Sequence, residues 1–68
     1  MIAFEVQDMT CGHCVASITK ALQAADPLAV VEIDLGRHRV QVEPGRADAA
    51  ALRVAMEDAG FTPVVLAG

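Results

Sequence analysis

The chain has 68 residues, a formal net charge of −4 and two aromatic side chains, Phe4 and Phe61. That length makes one small domain, residues 1–68, with a core too small for a large enzyme. The five basic residues, Lys20, Arg37, Arg39, Arg46 and Arg53, lie scattered, which argues against a nucleic-acid partner, and no apolar run approaches the roughly 20 residues of a membrane-spanning helix.

Ile2-Ala3-Phe4-Glu5-Val6-Gln7 alternates apolar and polar and reads as a half-buried strand. Met1 leads straight into it with no signal-peptide core, so a cytoplasmic location is the expectation. Residues 12–25 read as a helix with Val15, Ile18, Leu22 and Ala25 along its buried face. Asp26-Pro27 stops that helix, because proline turns its predecessor away from helical geometry. Val31, Ile33 and Leu35 alternate with Glu32 and Asp34 in a second strand, Gly36-Arg37-His38 turns the chain, and Val40 and Val42 mark a third strand. Pro44-Gly45 breaks it. Asp48 suits the N-terminus of a second helix with the buried stripe Leu52, Ala55, Met56 and Ala59, and Gly60 suits its left-handed cap. Val64-Val65-Leu66 gives a short last strand. The order strand–helix–strand–strand–helix–strand is the split βαβ, ferredoxin-like pattern, an α+β sandwich with four antiparallel strands and two helices on one face.

Chemistry concentrates in Met9-Thr10-Cys11-Gly12-His13-Cys14, which holds both cysteines of the chain between the first strand and the first helix. Two cysteines three positions apart can point both sulfurs at one ion or join in a disulfide. In a small cytosolic chain such a pair serves metal binding or redox chemistry more often than a structural crosslink. Thiolates are soft ligands that select Cu(I), Zn(II) or iron–sulfur clusters. A helix start supplies unpaired N–H groups and a positive dipole end, both of which lower a thiol pKa. Topology also brings the 60–63 loop, with Phe61, to the cysteine edge, and His38 to the same edge at a greater distance.

The residues Met9-Thr10-Cys11-Gly12-His13-Cys14, preceded by Phe4-x-Val6 and followed by Val31-Glu32-Ile33-Asp34-Leu35, Val40-x-Val42 and Gly60-Phe61, resemble the heavy-metal-associated domain family. Its members include bacterial copper chaperones and the amino-terminal metal-binding domains of copper-transporting P-type ATPases. The resemblance covers essentially the whole chain. It implies a copper chaperone that binds Cu(I) through Cys11 and Cys14 and passes it by ligand exchange to a copper-exporting P-type ATPase. The alternative within the family is an excised metal-binding domain of such an ATPase. Phe61 bears on that choice: free-standing bacterial chaperones usually carry tyrosine there, and phenylalanine is more typical of ATPase domains.

Zn(II) and Hg(II) rank behind Cu(I). Structural zinc sites take four ligands, the chain has no second cysteine pair, and Thr10 stands where zinc-exporting relatives commonly carry aspartate. Met9 is read as buried support for the loop, Phe61 as a lid over the site, and His13 as an exposed residue that can serve as an auxiliary ligand. His38 is read as the decoration of a hairpin tip, in a position where positive φ is expected, and Lys20 as a solvated helix residue. A monomer is expected without metal, with copper able to bridge two copies. A rival of a different class is a thiol–disulfide oxidoreductase, since Cys-Gly-His-Cys is also the motif of protein disulfide isomerases. Against it stand the short chain, Thr10 in place of the usual tryptophan, and the element order. No Ser–His–acid set, phosphate-cradling glycine loop or paired-carboxylate site supports an enzyme.

Overall fold

The computed structural model describes residues 1–67. Six elements follow one another: β1 (Ile2–Val6), α1 (Gly12–Ala25), β2 (Val30–Asp34), β3 (Arg39–Glu43), α2 (Ala49–Asp58) and β4 (Pro63–Ala67). The strands form one antiparallel sheet in the order β2-β3-β1-β4, which is the ferredoxin-like arrangement. Register pairs Phe4 with Val40 on one side and Val65 on the other, and Val31 with Val42.

Alternation in β1 and β3 sends Ile2, Phe4, Val6, Val40 and Val42 to the face the helices cover, where all five are buried. Ile18 and Leu22 of α1, four residues apart, and Leu52 and Met56 of α2, also four apart, close the core from above. Met9 joins this core although it belongs to no regular element. Among the described residues, no helix is long and apolar enough to cross a membrane.

Several boundaries differ from the sequence reading, each for a local reason. Gln7 leaves the first strand because the Met9 N–H turns back onto the Val6 carbonyl at 3.2 Å. Leu35 lies beyond β2: Asp34 Oδ1 accepts from the Arg37 N–H at 3.2 Å, which closes the turn at once. Ala25 and Ala59, placed on buried stripes, are exposed, because both sit at helix ends that overrun the core. Val64, Val65 and Leu66 of the edge strand β4 are exposed as well. Asp48 caps α2 by accepting from the Ala51 N–H at 2.9 Å, and Gly60 takes φ 98°, both as read from the sequence.

Candidate metal centre

β1 ends at Val6, β3 begins at Arg39 and β4 begins at Pro63, and the register places these three points side by side. The 7–11 segment, His38 and the Phe61-Thr62 loop therefore gather at one end of the sheet. The cysteines stand there at the mouth of α1. Cys11 is its N-cap, with φ −153° and ψ 170°, and its carbonyl accepts from the N–H groups of Cys14 at 3.1 Å and Val15 at 3.3 Å. No side chain caps the helix, so its positive end is left to the sulfurs.

The two Sγ atoms lie 3.4 Å apart, and both cysteines are free thiols. Cys11 is exposed, whereas Cys14 is half-buried and packs on the core. The Cys14 thiol is held below its ordinary pKa, first by hydrogen bonding from the Thr10 backbone amide and then by the Cys11 side chain. Partial burial opposes this and is outweighed. A site with one anchored and one exposed sulfur can grip a soft ion from one side while presenting it to solvent.

The surrounding residues fall into two groups. Met9 is fully buried, so its thioether serves the core rather than the surface. Phe61 is half-buried against the core, and its N–H donates to the Met56 carbonyl at 3.1 Å. His13 is exposed, and among the described residues no three His, Cys, Asp or Glu side chains converge in a way that could hold an ion. Asp8, the residue before Met9, accepts from the Thr62 N–H at 3.2 Å.

His38 departs from its reading as a hairpin decoration. Its φ of 56° is as expected, but its ring reaches inward, with Nδ1 2.9 Å from the Met9 carbonyl oxygen. Sequence reasoning missed this contact and the Asp8–Thr62 bond, because each joins residues far apart in the chain and leaves no periodic signal.

An open pair of thiols at the start of the first helix of a ferredoxin-like sandwich defines a class of soft-metal-binding domains. Residues 3–62 match the heavy-metal-associated domain, and the chain belongs to that family. It is 31% identical over 61 residues to the copper chaperone CopZ of Staphylococcus aureus (strain MRSA252), covering 87% of this chain and 90% of that one. It is 33% identical over 64 residues to copper-transporting ATPase 1 of Rhizobium meliloti (strain 1021), covering 93% of this chain but spanning only 8% of the ATPase. Among solved structures, a gold binding protein superposes with a TM-score of 0.91 at 32% identity, covering 97% of this chain and all of that one.

Proposed function

We propose that this chain is a single domain that carries Cu(I) on Cys11 and Cys14 and delivers it to a copper-transporting ATPase in the cytoplasm. The observation that carries the reading is the sulfur pair, 3.4 Å apart with one member exposed. Two soft thiolates satisfy a monovalent soft ion yet leave it coordinatively open. Zinc, which takes four ligands in closed structural sites, finds no third or fourth His, Cys, Asp or Glu converging here among the described residues. The likeness to copper chaperones, a copper ATPase and a gold binding protein supports the same class of ion.

Transfer then proceeds by ligand exchange. A thiolate of the receiving domain attacks the ion from its open side, the bond to exposed Cys11 breaks, and Cys14 releases last because it is held against the core. No covalent chemistry on a substrate is involved, and the domain is not an enzyme. Without metal it is a monomer; an ion shared between the sulfur pairs of two copies, reached through the exposed Cys11, bridges a dimer, where the exposed His13 is placed to assist. The likeness to ATPase 1 favours a second reading with the same site, in which the domain acts within a copper ATPase.

Titration of the reduced protein with Cu(I) against a competing chelator tests the assignment. One ion per chain is expected, with affinity lost in Cys11→Ser and in Cys14→Ser. Undiminished binding in either variant overturns it. Transfer to a two-cysteine ATPase domain, with little activity on a scrambled disulfide substrate, separates the carrier from an oxidoreductase.

A further inference from the structure

His38 is the only non-glycine residue with positive φ among those described, at 56°. The left-handed region is crowded for any residue with a Cβ, and glycine would occupy it without strain. A histidine kept there calls for a compensating interaction, and His38 makes three. Its N–H donates to the Leu35 carbonyl at 3.3 Å, which closes the β2–β3 turn. Its carbonyl accepts from the Val6 N–H at 2.8 Å, at the last residue of β1. Its ring lies with Nδ1 2.9 Å from the Met9 carbonyl oxygen, 29 residues away in sequence. A carbonyl only accepts, so Nδ1 carries the proton and donates.

The second and third contacts bracket the Val6–Met9 turn. That turn is itself closed by the Met9 N–H on the Val6 carbonyl at 3.2 Å. One residue of the β2–β3 hairpin therefore grips both ends of the segment from which Thr10 and Cys11 depart. The other flank of the same segment is tied by Asp8 Oδ1 to the Thr62 N–H. Cys14 needs no such help, since it rides on α1 and packs on the core. Cys11 and the Thr10 amide beside Cys14 depend on the course of the loop.

We infer that His38 is a positioning residue for the cysteine loop: through the bond from its ring to the Met9 carbonyl it holds Cys11 and Thr10 in place beside Cys14, and so sets how readily the site opens for metal exchange. The inference concerns the metal reading, but the clamp itself is a property of the metal-free protein and can be examined there.

His38→Gly removes the ring while suiting the backbone, so thermal stability should hold or rise. Loop order should fall nonetheless. In the metal-free variant, amide hydrogen exchange at Thr10 and Cys11 and alkylation of Cys11 should each speed up severalfold, and Cu(I) release to a chelator should accelerate by a similar factor. His38→Asn should restore slow exchange, because asparagine tolerates the same backbone and carries an N–H donor on Cγ where histidine carries Nδ1. His38→Asp suits the backbone equally but offers the carbonyl no donor as a carboxylate, and should behave like the glycine variant. Should His38→Gly fail to fold, the asparagine–aspartate pair decides. Loop exchange and alkylation rates unchanged in the donor-less variants overturn the inference, as does a loss tracking global stability that asparagine does not rescue. Faster loop exchange in a protein that binds no Cu(I) would uphold the clamp while sinking the metal assignment.

Discussion

The two ends of α1, about 21 Å apart at 1.5 Å per residue, each set an ionisable side chain beside backbone N–H groups, a carboxylate at one end and a thiol at the other, and they close it off to different degrees. At the C-terminal end, Asp26 is 2% exposed. Its Oδ2 accepts from the N–H groups of Gly45 at 2.8 Å, Arg46 at 2.8 Å and Ala47 at 2.9 Å, while Oδ1 accepts from Leu28 at 3.2 Å. A buried carboxylate so supplied has no valence left for an outside ligand, and it staples the segment after α1 to the segment before α2. At the N-terminal end, the Cys14 thiol is also drawn towards its anion by a backbone amide, but its neighbour Cys11 is exposed. The same interaction makes a structural lock where it is saturated and sealed, and leaves a thiol open to solvent chemistry where it is not.

The sharpest way to break this contrast is to remove the lock. Asp26→Ala strands four N–H groups that are partnered in the fold, and melting should fall by about 10 °C or more for a domain of this size. The direction with pH is also set. Ala47 and Arg46 N–H donors lead in holding the Asp26 pKa below the carboxylate range, against the effect of burial. A lowered folded pKa means that the contribution is complete above the unfolded value of about 3.9 and lost as pH falls through the folded value. Parent protein should show an acid-unfolding limb below that pH, and Asp26→Ala should lack this component. An unchanged melting curve in the variant would show that the two loops are held by packing alone.

A smaller effect follows at the same end. A Cβ on Gly45 would press on the Cβ of Leu28 and lie 2.8 Å from Asp26 Oδ1. Gly45→Ala should therefore lower the melting temperature by several degrees, less than Asp26→Ala because the loop can shift. Gly12, between the cysteines, has nothing within 4 Å of an added Cβ, and Gly12→Ala should leave stability level or slightly raised. Equal losses at the two glycines would contradict a tight end and an open end.

That contrast was only half legible in the sequence. Alternation located β1 and β3, a 3.6-residue period and Pro27 bounded α1, and Asp48 and Gly60 marked α2, because all of these are local effects of propensity, capping and backbone freedom. The cysteine pair was visible for the same reason, since its spacing alone brings two sulfurs together. Asp26, however, read only as the end of a helix. Its three Oδ2 donors lie 19 to 21 residues downstream, and a carboxylate that receives backbone N–H groups asks nothing of the side chains that supply them. His38 was missed likewise: its backbone angle was foreseeable from the turn, but its ring contact is made to a carbonyl that every residue has.

Phe61 offers a milder probe of the open end. It is half-buried, so Phe61→Ala should cost less than the ~3–5 kcal/mol of a fully buried aromatic. One Cu(I) should still bind, because the ring has no ligand atom, but exchange with small thiols should quicken as water reaches the loop. Phe61→Tyr should behave like the parent, its hydroxyl turned to solvent. Outright unfolding of Phe61→Ala would make this residue core rather than lid, and an unaltered exchange rate would make it a bystander.

The smallest expected effect isolates the amide that draws on Cys14. In Cys11→Ser the Cys14 thiol loses the Cys11 sulfur but keeps its largest support, the Thr10 backbone amide. The pH midpoint for alkylation of that single thiol should thus lie below the midpoint for the same protein in denaturant. Linkage gives the matching sign for stability. A thiol whose folded pKa is lowered contributes in full above its unfolded value, about 8.5, and the contribution fades as pH falls through the folded value. Metal-free parent protein should therefore stiffen slightly between neutrality and pH 8.5, and Cys14→Ser should not. Identical alkylation midpoints in folded and denatured Cys11→Ser would mean that the open end of α1 gives its thiol no electrostatic help, and that the two helix ends differ in kind rather than in degree.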